Sequence, residues 1–328
     1  MPTSGSWDYS LTAANLIVCA LEDIQVIQSG ESINSDDQTI ALRALNLLAK
    51  QWQGTADKMP GIKVWTRQRV TLALAKGQQS YLIGPASTDA RASTQMGRTT
   101  LDAAEASGQT VLSVTATSDT TSYPGTTLTM TASDIIGIEL TDGTIQWSTV
   151  SSIVAGDTVT IPATGLTGAA ASGNAVYWFT SRAQRFPSIE AAVLRDENMV
   201  DIPLGIYTDV QQYESLTNKT ADGDPTDILV EPLRLNTRVT CNMQPNDVTK
   251  RIVMTVIYPA EDYDATTDDI AFPQEFYAAL EWELAFRLSP KFGKPWTKEM
   301  QMNYDKHVGM AIGLNPQNTS MHFEPGRD

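Results

Sequence analysis

The hydrophobic period of this chain changes twice along its length, and that change limits the folds open to it. Apolar residues recur at helical spacing near both ends. Ala14, Ile17, Val18, Leu21, Ile24 and Ile27 do so at one end, and Phe276, Leu280, Leu284 and Leu288 at the other. Between them the pattern alternates in short runs broken by glycine, as in "IGIEL", "IQWSTV" and "AVYWF". Each amphipathic element leaves an apolar face that another element must cover. The chain therefore reads as α+β: a helical bundle formed by both chain ends, a β-sheet or β-barrel domain between them, and an inserted small all-β barrel or sandwich.

Helices are predicted over 10–29, 35–53, 273–289 and 297–313. Ser10 is a possible N-cap for the first and Gly30 stops it. Ser35 and Gln38 have capping-box spacing at the second, whose stripe is Ile40, Ala44, Leu47 and Leu48. "IKVWTRQRVTLALAKGQQSYLIG" alternates on either side of "KG" and predicts a hairpin. Further on, two strands surround "DEN", a short helix is capped by Thr208 or Asp209, and three strands follow in "TDILVEP", "RVTCNMQP" and "RIVMTVIYP". The discontinuous core is thus 1–94 with 183–328, its β-domain spanning 62–84 and 186–259.

Residues 95–182 differ in kind. Over 95–180 there are 19 threonines, no lysine, one basic and seven acidic side chains. Short runs separated by "SYPGT", "DGT" and "ASGN" predict an inserted all-β domain, with "TDGTIQW" as a hairpin turning on Asp-Gly.

The stretch "DDIAFPQEFYAALEWELAFRLSPKFGKPW" carries seven aromatic residues. Pro273 suits the first helical position and Glu275 the positive helix end. Tyr277, Ala279, Trp282, Ala285 and Phe286 widen the stripe beyond one face, which calls for burial on more than one side. Most of these rings read as core. Aromatics are also enriched at subunit interfaces, so Phe276, Tyr277, Trp282, Phe286 and Trp296 are candidates for meeting a neighbouring chain.

The net charge of −15 argues against DNA binding, which needs clustered Lys and Arg on phosphates. Lys63, Arg67 and Arg69 beside Trp65 read as ordinary strand-surface residues. Cys19 and Cys241 stand far apart, leaving free thiols or one long-range bridge open, and Cys19 fits a small buried position. With His307 and His322 as the two histidines, a zinc site would need mostly carboxylates. The loop "EDYDATTDD" lacks the central glycine of an EF-hand, so Glu261, Asp262, Asp264, Asp268 and Asp269 read as a solvated loop. No phosphate loop, nucleophile elbow or H-E-x-x-H motif is present. The expectation is a protein that is no enzyme and takes no metal or cofactor. No apolar run approaches the roughly 18 residues of a membrane span, and the N-terminus does not read as a secretory signal.

In order along the chain come "TIALRALNLLAKQWQ", "KVWTRQRVTLALAKGQQSYLIG", "DIPLGIYTDVQQYESLTNKTADGDPTDILVEP" and "VIYPAEDYDATTDDIAFPQEFYAALEWELAFRLSPKFGKP". This ordered set resembles the head-to-tail adaptor proteins of short-tailed bacteriophages, sometimes called tail tubular protein A, over most of 35–94 and 183–313. Residues 108–180 resemble a β-module often inserted in them. The resemblance implies a structural virion protein of the neck, made in the host cytoplasm. It would form a dodecameric ring between the portal protein and the tail nozzle protein, with double-stranded DNA passing through. Tail fibres are a further partner implied for 95–182. A net acidic channel suits passage without adhesion. The segment 314–328, with Met321, His322 and Phe323, would be an arm that orders on binding.

Two other functional classes stand beside this one. A carbohydrate- or receptor-binding virion protein would work through the β-insertion, with Trp147, Tyr177 and Trp178 as its aromatic candidates. A cell-wall hydrolase is the third class, and no catalytic motif supports it.

Overall fold

The computed structural model describes residues 9–52, 66–85, 89–123, 125–154, 156–219 and 221–313. The protein mixes helices with several open sheets, and no closed barrel forms among the described residues. The barrel expected as one form of either β region thus gives way to open sheets. The helices are α1 (Ala13–Asp23), α2 (Ser35–Trp52), α3 (Val210–Glu214), α4 (Tyr277–Leu288) and α5 (Lys298–Gly313). The chain divides into two compact units, Met1–Thr66 with Pro259–Asp328, and Arg67–Tyr258; the segment 95–182 lies within the second.

In the helical unit, α4 packs against α1, α2 and α5. Leu16, Leu21, Leu45, Leu48, Leu280 and Leu284 meet in one core. Each such side chain contributes about 1.5–3 kcal/mol by leaving water. Helix α1 is capped by Thr12 rather than Ser10, the Asn15 amide donating to Thr12 Oγ1 at 3.3 Å. It stops well before Gly30, because the chain turns at Gln25, whose φ is 56°. Helix α2 is capped by Asn34, whose Oδ1 accepts from the Asp37 amide at 2.8 Å, and not by Ser35. The face that α2 buries is Ala41, Ala44, Leu45, Leu48, Ala49 and Trp52. Ile40 and Leu47, expected on that face, are exposed.

The loop before α4 is tied into this unit by hydrogen bonds. Asp268 O accepts from the Ala13 amide at 2.8 Å, and the Ile270 amide donates to Leu11 O at 2.9 Å. Asn46 both donates to Tyr263 O at 2.9 Å and accepts from the Tyr263 amide at 2.8 Å. Asp268 Oδ2 accepts from the Asp264 and Ala265 amides, so this acidic side chain folds its own loop.

The β unit contains a five-stranded antiparallel sheet in the order Asp201–Pro203, Ser188–Arg195, Arg251–Ile257, Arg67–Ala73, Arg91–Ser93. A four-stranded sheet runs Gly205–Tyr207, Asp227–Pro232, Thr237–Cys241, Ser80–Ile83. The predicted hairpin around "KG" does not form. Arg67–Ala73 pairs with Arg251–Ile257, whereas Ser80–Ile83 pairs with Thr237–Cys241. The reason is burial: Val70 and Leu72 from one sheet and Tyr81 and Ile83 from the other enter the same core. Crossing that core at Gly77 covers both apolar faces, which a flat hairpin would leave bare.

Within 95–182 a second four-stranded sheet runs Gly97–Thr100, Ala175–Phe179, Ile135–Glu139, Ile145–Thr149. It shares a core with the three-stranded sheet Ser152–Val154, Thr158–Thr160, Val111–Ser113, through Leu112, Val159, Ile136, Ile138, Val176 and Trp178. The "TDGT" turn is as expected, with Gly143 at φ 75° and Thr144 bonded to Asp142.

The strand Ala175–Phe179 is buried along its whole length. Val176 and Trp178 enter the core just described, while Ala175, Tyr177 and Phe179 join Ala73 and Met96 in another. Two glycines make room for the tryptophans. A Cβ on Gly97 would lie 2.3 Å from Trp178, and one on Gly137 would lie 2.6 Å from Trp147. Facing the aromatics is a row of cations set by register, Arg195 opposite Arg251, Arg251 opposite Ala73, and Ala73 opposite Arg91. The Arg251 guanidinium sits 5.6 Å over the Tyr177 ring, and Arg91 sits 5.6 Å over Trp147.

Candidate self-association surface

One group of aromatic side chains in the helical unit gathers on the α4–α5 hairpin. The connection is short because Ser289 Oγ donates to Lys294 O at 2.7 Å and Gly293 takes φ 65°. Trp296 then lies at the head of α5, its Nε1 donating to Gln301 Oε1 at 2.8 Å, and Gln301 donates onward to Asp305 Oδ1 at 2.8 Å. These bonds hold the indole in place.

Around it the rings form a continuous group. Phe286 and Trp296 meet edge-on at 5.1 Å between centroids, and Phe286 and Tyr304 at 5.5 Å. Trp282 contacts Trp296 at 6.4 Å and lies parallel to His307 at 6.3 Å. Tyr304 donates to Glu283 Oε2 at 2.5 Å, so its hydroxyl is satisfied beneath the rings. Phe286 is 44% exposed, and Met302 on α5 is 71% exposed. Met310, two turns further along α5, is exposed as well. Helix α5 buries only Val308 and Ala311 fully. Such a rigid aromatic base with pliant thioethers around it can adapt to an apolar partner.

Of the interface candidates, Phe286 is exposed, while Trp282 and Trp296 are half-buried in this group. Phe276 and Tyr277 are buried in the core of the unit itself and offer no area to a partner. The positions 321–323 lie outside the described residues. Sequence periodicity missed Met302 and Met310, which lie on the outer face of a weakly amphipathic helix.

One electrostatic feature adjoins this group. The carboxyls of Asp23 on α1 and Glu281 on α4 are in hydrogen-bonding contact. As carboxylates both are acceptors, and the buried Asp23 Oδ2 has no donor. A proton held on either carboxyl would turn this contact into a hydrogen bond. Burial first, and then the Asp23 charge, push the Glu281 carboxyl up to about 7.

The other candidates for chemistry fall into structural roles. His307 stacks on Trp282. Burial pushes the Cys241 thiol up to about 12, and burial with the Glu281 charge raises Cys19, so neither of these free thiols is an activated nucleophile. Asp262 pairs with Lys50 at 2.7 Å. Arg67 pairs with Glu190 at 2.6 Å, while Lys63 and Trp65 lie outside the described residues. Among the described residues no group of three His, Cys, Asp or Glu side chains converges on a metal site, and no helix is long and apolar enough to cross a membrane. No protein-family model matches the chain, and no curated protein matches it.

Proposed function

We propose that this chain is a structural protein of a virion that assembles copy on copy into a head-to-tail adaptor ring. The ring would join the portal protein to the tail nozzle protein and form part of the DNA channel. The single observation that carries the reading is the α4–α5 aromatic and methionine surface, exposed on a helical unit assembled from both chain ends. The ordered resemblance to phage adaptors supplies the identity of the partners, the dodecameric stoichiometry and the virion location. In this reading the bundle meets portal and neighbouring copies, the β unit faces the tail, and the residues 95–182 lie where tail fibres attach.

A glycan-binding reading of 95–182 is disfavoured by burial. Tyr177 and Trp178 present no open ring face, and Trp147 is engaged by Arg91. The test is light scattering and electron microscopy of the purified chain alone and mixed with the portal of the same virion. Rings seated on the portal are the expected outcome. A chain that neither forms rings nor binds the portal would sink the proposal.

A further inference from the structure

The helical unit carries a second exposed apolar face, on α2. Asp36, Ile40, Arg43, Leu47 and Lys50 recur at helical spacing on its solvent side, and Leu47 is 58% exposed. Leu42, Arg43, Asn46, Leu47 and Lys50 line a shallow groove of about 340 Å³ there. The outward side of α5 has the opposite relief. Met302 and Met310 project from it, in a stripe with Glu299, Asp305 and Lys306.

The two faces complement each other in shape and charge. Arg43 and Lys50 border the groove; Lys50 is already paired with Asp262 at 2.7 Å, so Arg43 is the cation there that makes no ion pair among the described residues. Glu299 and Asp305 border the methionines and likewise make none. Helix α4 packs against both α2 and α5, so one rigid core carries both faces. A two-fold dimer needs one self-complementary patch, whereas two unlike patches on one unit generate head-to-tail assembly.

We infer that the α2 groove of one copy receives the α5 methionine face of the next, so that copies associate heterologously, head to tail. This rests on the self-association reading above and names the contact that carries it. Leu47→Glu destroys the groove and Met302→Glu destroys the ridge, and both positions are exposed, so both variants should fold with unchanged circular dichroism.

Sedimentation velocity should show wild type associating and each variant monomeric. An equimolar mixture of the two should give a 1:1 dimer that grows no further, because one pairing still joins an intact groove to an intact ridge. The inference is overturned if wild type stays monomeric at the highest attainable concentration, if either variant still associates, or if the mixture stays monomeric. Rings on the portal from both variants would remove this contact and leave the adaptor reading standing. Complementation accompanied by open filaments instead of rings would do the reverse.

Discussion

The aromatic residues of the two units meet opposite fates, and the cause is what covers the element that carries them. In the β unit, Trp178 and Tyr177 sit on one strand with sheet on both sides, so alternate residues enter two different cores. Glycine makes space for the indoles, and arginines cap the second face. In the helical unit, α4 is covered by α1, α2 and α5, yet Phe286 and the outer side of α5 remain open. A buried strand uses its aromatics for its own fold. A peripheral helix keeps some of them available to a partner.

Truncation should separate the two groups most strongly. Trp178→Ala removes a ring from a filled core and should cost about 3–5 kcal/mol, read as a shifted midpoint in urea unfolding. Phe286→Ala, at 44% exposure, should cost within about 1 kcal/mol while weakening association. Equal losses for the two would abolish the distinction drawn between them.

Overpacking should have the next largest effect. Gly97→Ala puts a methyl 2.3 Å from an indole that is itself enclosed. The expected cost is about 1–3 kcal/mol. The same change in a Trp178→Phe background should cost less, since the smaller ring leaves the slot free, and the double-mutant cycle measures the coupling. Full additivity would mean that Gly97 is not there to admit the tryptophan.

Much of the fold was legible in the sequence, because the period of apolar residues reports local structure directly. Four bundle helices and the Asp142–Gly143 turn occur where spacing placed them, although α1 ends at Asp23 rather than at 29. What spacing could not supply was partner choice. The strands around Lys76–Gly77 look like a hairpin, and only the shared core of two sheets explains why they separate. The same limit affected the site. On α2 the apolar set of Ile40, Ala44, Leu45, Leu47 and Leu48 is wider than one face, and sequence alone cannot tell which edge is surplus. The structure buries Ala44, Leu45 and Leu48 and leaves Ile40 and Leu47 outside. A surplus of apolar width on this 18-residue helix was the signal available for a second face.

The smallest expected effect concerns acid and base, where the two units again differ in sign. In the β unit the Arg195 hydrogen bond holds Asp201 below the ordinary carboxylate range. Burial pushes Asp119 and Asp247 up, but hydrogen-bond donors outweigh it and leave both lowered. Such groups stabilise the fold above their unfolded values, and the contribution fades as pH falls through the folded ones. In the helical unit burial raises Glu281 to about 7 and also raises Asp23. Their contribution is complete below the unfolded value of 4.5 for Glu281 and is lost as pH rises through about 7. Thermal melts between acid and neutral pH should therefore show the α1–α4 seam loosening as the shared proton leaves. Glu281→Gln keeps a donor for Asp23 at every pH and should flatten that decline without altering the acid-side loss from the β unit. A variant whose melting temperature falls from pH 5 to 8 as steeply as wild type would mean that no proton is shared between the two carboxyls.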